Sequence, residues 1–394
     1  MDAYLYDCLR SPRAKAVPEQ GTLAALAPQM MVAQLVAGLE QRHPGLRDSA
    51  QQLLLGCVGQ VASQGGNIAL VSKVAAGLPD SAAAYSLNNY CVSGLTAISQ
   101  AALAVQAGLS QMSLAGGVEN MSQVPFMADR ASYYQDTSLP RAGRFLPVPV
   151  AADLLASHSG VARAQLDAIS LRSQQRAAAA QQVAALNASM VAMCDGDGAV
   201  LLDRDEAVRA GVTAEALAAM PAAFAEFAAP YRDTIGDRPL QALHSFAHMP
   251  PMVDGAALAL IGGPQLPLDS APRAKIVAVS ERCGSAAESL TGGFAAMEQA
   301  LSRAGLGLND LDCIEFMEAF AVVPALLEQR YQVDPDKVNI AGGHLAKGHP
   351  MGATGAVLLS CLMDALEHRD GRLGMVVATG ASGIGAAMII ERLR

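Results

Sequence analysis

From Ser81 to Val118 the chain contains no Asp, Glu, Lys or Arg, yet it keeps Asn88, Asn89, Ser93, Gln100, Gln106 and Gln111. Polarity without charge predicts a segment enclosed by protein. Within it, Gly94 to Gln106 has helix length and small or apolar residues around most of its circumference, which predicts a helix covered on nearly all sides and ended by Gly108. Met112-Ser113-Leu114-Ala115 then runs into Gly116-Gly117, the mark of a buried strand entering a tight turn. The same order returns near the C-terminus. A glycine-rich turn at His349-Pro350-Met351-Gly352 precedes a helix from about Ala353 to Glu367 and a strand at Met375 to Ala378. Each copy sets a reactive residue, Cys91 or His349, just ahead of an inner helix, which predicts a duplicated α/β fold with facing sites. The opening Met1 to Asp7 reads as the first core strand, and the apolar run from Leu311 to Phe316 as another. Between the copies the pattern changes to long polar-apolar helical stretches such as Gly160 to Gln182. Pro140, Pro147, Pro149 and Pro239 there are read as loop positions.

Composition narrows the class. Over 394 residues, 52% are hydrophobic against 16% charged, which excludes a disordered chain. With 36 Gly, 8 Tyr, 8 Phe and no Trp, the interior must be built chiefly from Ala, Val, Leu and Met. The net charge of -9, without a basic stripe, disfavours a nucleic-acid partner. Cys8, Cys57, Cys91, Cys194, Cys283, Cys313 and Cys361 show no CxxC spacing, and the Cys and His residues show no metal-ligand pattern. A reduced cytoplasm is expected. No export segment opens the chain, and the Gly374 to Ile390 run is too short and too glycine-broken to span a bilayer.

Three positions carry candidate chemistry. Cys91 lies where a helix start offers unpaired N–H groups and the positive end of the macrodipole, so its pKa is expected to fall; the plain alternative is a buried apolar thiol. His349 sits in a turn whose glycines imply close backbone approach, and together with Cys91 it supplies the nucleophile and polar partner of acyl transfer. Glu318 closes an apolar run and is either a strand end or a functional acid.

Asn88-Asn89-Tyr90-Cys91-Val92-Ser93-Gly94, Gly116-Gly117-Val118-Glu119-Asn120-Met121-Ser122, Met317-Glu318-Ala319-Phe320-Ala321 and Gly348-His349-Pro350-Met351-Gly352-Ala353-Thr354-Gly355 resemble, in order and spacing, the motifs of the thiolase family. The resemblance spans essentially the whole chain and weakens in the middle. It implies two βαβαβαββ halves with mostly parallel five-stranded sheets in an α/β/α/β/α arrangement, plus an inserted loop domain covering coenzyme A. On that reading the N-terminal half is 1–121 with 246–265, the insertion 122–245 and the C-terminal half 266–394. It further implies a nucleophilic Cys91, an oxyanion site at His349, and a second one from the backbone N–H groups of Cys91 and Ala381. Acyl-CoA and CoA are then substrate and product, with no separate cofactor or metal. A homodimer or homotetramer is expected, and a complex with other acyl-CoA enzymes is compatible.

Two departures from the family pattern bear on mechanism. Thr379 stands where relatives carry a second cysteine, and an alcohol is no comparable base at neutral pH. Met317 stands where an Asn or His helps hold a catalytic water, and a thioether donates no hydrogen bond. Ser245 to Asp254, with Pro250 and Pro251, also departs from the usual CoA-contacting stretch. His344 is a candidate replacement acid/base. Three readings follow: a thiolase acting by thiolytic cleavage of 3-oxoacyl-CoA or by Claisen condensation, a decarboxylative or hydrolytic relative, and a non-catalytic thiolase-like subunit.

Overall fold

The computed structural model describes residues 2–286 and 289–393. In the N-terminal half the strands are β1 (Tyr4–Arg10), the short β2 (Ala14–Lys15), β3 (Gln52–Gly56), β4 (Ala83–Leu87) and β5 (Met112–Glu119). β6 (Met193–Cys194) and β7 (Val200–Leu202) form a separate small pair, and β8 (Val253–Gly262) returns to the first half. β9 (Ala274–Cys283), β10 (Cys313–Phe316), β11 (Leu373–Thr379) and β12 (Ile384–Arg392) build the second.

The strand order is β10-β11-β12-β9-β1-β8-β5-β3-β4, two copies of one topology joined where Tyr4 and Leu5 meet Lys275 and Ala274. In the first copy β3 runs parallel to β4 and β5, and β8 is antiparallel to β5 and β1. In the second, β10 runs parallel to β11, and β12 is antiparallel to β11 and β9. The counterpart of β4 is here a single parallel bridge between Ile314 and Val338, so the C-terminal sheet falls one strand short of the expected five. The polypeptide between β5 and β8 adds no strand to this sheet among the described residues. It contributes the helices Val148–Ser159 and Arg163–Ala180. Pro149 therefore lies inside a helix rather than a loop: it occupies the first turn, where its missing N–H leaves no bond unmade. Gly160, at φ 67°, ends that helix instead of opening the next.

The duplicated inner helices, Ser93–Gln106 and Thr354–His368, pack on each other between the two halves of the sheet. Helices Pro28–Arg42 and Gly292–Ala304 cover the outer faces. The charge-free segment is buried along its helix and along β5, but β4 is an exposed edge strand whose Tyr85 is half exposed. That strand is not enclosed within this chain.

The starts of the inner helices touch through glycine. A Cβ on Gly94 would sit 2.8 Å from the Gly352 carbonyl oxygen, and one on Gly355 would overlap the Leu95 backbone nitrogen. Any side chain there forces the helices apart. We expect Gly94→Ala to lower stability by about 1–3 kcal/mol in chemical denaturation while keeping the far-ultraviolet spectrum. An unchanged midpoint would show that the helix crossing tolerates more space than this packing has.

Candidate active site

Cys91 lies two residues ahead of its helix, in a turn tied by its own motif. The Ser93 hydroxyl donates to the Tyr90 carbonyl at 2.6 Å and accepts the Asn89 N–H at 2.7 Å, while the Asn88 side chain accepts the Tyr90 N–H at 3.1 Å. Tyr90 is thereby held at φ 48°, outside the range most side chains adopt, and Cys91 is turned toward the second half.

His349 comes from that second half. Its N–H donates to the Pro251 carbonyl at 2.9 Å. Gly348 before it adopts φ 93°, and a Cβ there would overlap Val253. Behind the turn lies a buried ion cluster: Asp205 pairs with Arg10 at 2.9 Å and with Arg13 at 3.0 Å, and Arg13 also donates to the Gly348 carbonyl at 3.3 Å. Burial disfavours the Asp205 carboxylate, but the two guanidiniums outweigh it and hold its pKa far below the usual range. Glu119, at the end of β5, braces the other side by accepting N–H bonds from Val58, Gly59 and Gly352, each at 2.9 Å.

These supports bring His349 Nε2 to 3.2 Å from Cys91 Sγ, and His349 Nδ1 to 2.6 Å from Thr354 Oγ1. The Cys91 and Ala381 backbone N–H groups both face the sulfur. The expected fall in the Cys91 pKa is not found. Burial pushes the thiol up to about 12, and the two N–H groups offset only part of that rise. Burial first, then the Arg13 charge, lowers His349 to about 3. The resting pair is therefore neutral thiol and neutral imidazole. Sulfur is a weak acceptor, so the better arrangement has S–H donating to Nε2 and Nδ1–H donating to Thr354.

The pair opens into a cavity of about 520 Å³. Its wall includes Phe126, Phe145, Phe224, Phe227, Phe246 and Phe320, six of the chain's 8 phenylalanines, together with Tyr90, Tyr134 and Tyr231. Phe224 packs edge-on against Phe227, Phe246 and Phe320 with ring centres 5.3–5.9 Å apart. Most of these rings come from the region between β5 and β8, and the site reading from sequence named none of them. The available signal was that rings so scarce along the chain cluster at 126–145 and 224–246.

The other expected positions divide. Thr379 and Met317 reach the cavity wall. The Thr379 hydroxyl is already engaged: it donates to the Leu290 carbonyl at 3.0 Å and accepts the Gly293 N–H at 3.4 Å. The Met317 side chain is buried and offers no donor beside His349. His344 does not line the cavity. It is buried behind His349, edge-on to it at 5.7 Å, with neither ring nitrogen hydrogen-bonded. Burial, then Arg13, keeps its pKa well below the ordinary value, so it is placed to pack rather than to move protons. Glu318 is also off the cavity. It accepts from Ser173 at 2.7 Å, the Leu345 N–H at 2.9 Å and Asn339 at 3.2 Å, and so fastens helix Arg163–Ala180 to the loop ahead of His349. In the Ser245 to Asp254 stretch, Phe246, Met249, Pro250 and Met252 supply wall where polar contacts were in doubt. Among the described residues no group of His, Cys, Asp or Glu is arranged to hold a metal ion, and no helix is long and apolar enough to cross a membrane.

A duplicated α/β fold whose halves aim a cysteine and a histidine at one another defines a thiol-dependent acyltransferase. Comparison with known proteins makes the class specific. Residues 9–228 match the thiolase N-terminal domain and residues 270–392 the thiolase C-terminal domain, so the chain belongs to the thiolase family. It is 32% identical over 398 residues to a 3-ketoacyl-CoA thiolase of Shewanella sp. strain MR-7, covering 99% of both chains. It is 31% identical to one of Shewanella oneidensis at the same coverage. The crystal structure of the Bacillus anthracis acetyl-CoA acetyltransferase superposes with a TM-score of 0.85 at 25% identity, over 100% of this chain and 99% of that one.

The neutral pair makes a pH statement. Thiolate fraction grows about tenfold per pH unit below the thiol's pKa, so alkylation of Cys91 by iodoacetamide should climb steadily from neutral pH to pH 10. A plateau below pH 7 would instead reveal a preformed thiolate–imidazolium pair.

Proposed function

We propose that this protein is an acyl-CoA C-acyltransferase that cleaves 3-oxoacyl-CoA with free CoA through an acyl-Cys91 intermediate. The observation that carries the reading is the 3.2 Å contact between Cys91 Sγ and His349 Nε2 on the wall of an aromatic cavity. Attack on the 3-oxo carbon moves the thiol proton to His349 and places the carbonyl oxygen near the Cys91 and Ala381 N–H groups. In a dry site each such donor contributes about 3 kcal/mol to the transition state. The acyl chain lies among the phenylalanines, which supports an extended or bulky apolar group over a short one. Arg144 and Arg232, each next in sequence to a cavity-lining ring, bring positive charge beside the cavity for the CoA phosphates, with Arg144 and Arg141 also paired to Asp233.

The exposed β4 edge supports self-association into a homodimer or larger homo-oligomer, because an uncovered sheet edge pairs readily with a second copy. All seven cysteines are free thiols, and a reaction that needs one of them reduced suits the cytoplasm.

Steady-state thiolysis of a graded series tests the reading. The kcat/KM for 3-oxodecanoyl-CoA should exceed that for acetoacetyl-CoA by about tenfold or more, the low end of what a hydrophobic pocket obtains from added methylenes. A preference for acetoacetyl-CoA would contradict the assignment of the cavity, and carbon dioxide release from malonyl-CoA without thiolysis would replace cleavage by a decarboxylative reaction.

A further inference from the structure

We propose that His349 is the acid–base of the carbon–carbon step, carrying the proton it takes from the Cys91 thiol to the carbon that leaves. This rests on the acyl-CoA cleavage reading above. The resemblance assigns that proton transfer to a second cysteine, and here its position is Thr379, whose hydroxyl is spent on Leu290 and Gly293. Met317 holds no proton to give, and His344 lies outside the cavity. Among the described residues the cavity wall contains no Asp, Glu, Lys or Arg, and its ionisable side chains there are Cys91, His349, Tyr90, Tyr134 and Tyr231. Burial raises all three phenols, so a proton lost from one of them leaves a poorly solvated phenolate. The imidazole is different, because Cys91 attack itself supplies it with a surplus proton.

The atoms balance without any other group. Sγ bonds to the 3-oxo carbon as the S–H proton passes to Nε2. The carbonyl re-forms, the bond between the 2 and 3 carbons breaks, and its electron pair goes to the departing acetyl-CoA enolate. Nε2–H then protonates that carbon, giving acetyl-CoA, acyl-Cys91 and neutral His349. The leaving carbon was bonded to the carbon that sulfur attacked, so it departs two bonds from Sγ, and Nε2 lies 3.2 Å from that sulfur. In the second half-reaction the CoA thiol gives its proton to Nε2, attacks the acyl group, and Cys91 leaves and recovers the proton.

Two acyl donors separate this role from simple activation of Cys91. A saturated acyl-CoA acylates Cys91 by expelling a thiolate that needs no proton, whereas 3-oxodecanoyl-CoA must expel carbon. Single-turnover assays at one pH would follow acyl-Cys91 by mass spectrometry and acetyl-CoA release for wild type, His349→Gln and Thr379→Val. In His349→Gln, acetyl-CoA release should fall about a hundredfold or more beyond the fall in acylation by the saturated donor. Thr379→Val, which alters the cavity wall, should change acetyl-CoA release and acylation by the saturated donor by the same factor, with acyl-Cys91 formation reporting that it is folded. Equal losses for both donors in His349→Gln would confine the histidine to activating the thiol, and a selective loss of release in Thr379→Val would make the hydroxyl the donor; either overturns the proposal. Absence of acyl-Cys91 from both donors in the wild type would overturn the acyl-transfer reading itself, a pattern distinct from those two.

Discussion

The structure depends on the close crossing of two helix starts from opposite halves. Neither half holds a site alone. Gly94 and Gly355 let the backbones approach where any side chain would part them, and that approach puts Cys91, two residues ahead of one helix, against His349, five residues ahead of the other. The 3.2 Å sulfur–nitrogen contact is the chemical result. Bonds made elsewhere hold it: Glu119 ties β5 to the histidine turn, and Arg13, set by Asp205, grips the carbonyl of Gly348.

Enclosure then decides the electrostatics. A helix start favours thiolate by a fraction of a kcal/mol to roughly 2 kcal/mol, and removal of solvent opposes it more strongly, so the buried pair rests uncharged. The same dryness strengthens each N–H bond to an oxyanion once the substrate brings charge into the site. A cavity walled by rings and thioethers therefore both takes up an apolar acyl chain and amplifies its few polar groups. With the second cysteine and the water-holding side chain both replaced, proton traffic converges on one imidazole.

Much of this was legible from residues. Glycine punctuation and the repeated turn, helix and strand order located both inner helices, and the pairing of Cys91 with His349 followed from their equivalent places in the two copies. The Cys91 ionisation was misjudged because local sequence displays the helix end but not the depth of burial. His344 looked functional from its place near His349, yet one helical turn directs it behind that ring. The absence of charge in β4 pointed to a covered strand, and within this chain β4 is a sheet edge, a position that only strand order reveals. The aromatic wall is assembled from ring clusters at 126–145 and 224–246, whose convergence on Cys91 only the fold reveals, and Asp205 joins Arg10 and Arg13 across more than 190 residues.

The most direct test of the account is nitrogen NMR of ring-labelled histidine, with the His349 signals assigned by loss in His349→Gln. Across the neutral pH range His349 should show a neutral ring protonated at Nδ1, with Nε2 shifting when Cys91 is replaced by alanine. An imidazolium signal near pH 7 that disappears with the thiol would show that the pair is charged at rest, and the mechanism drawn from a buried, neutral thiol and imidazole would be wrong.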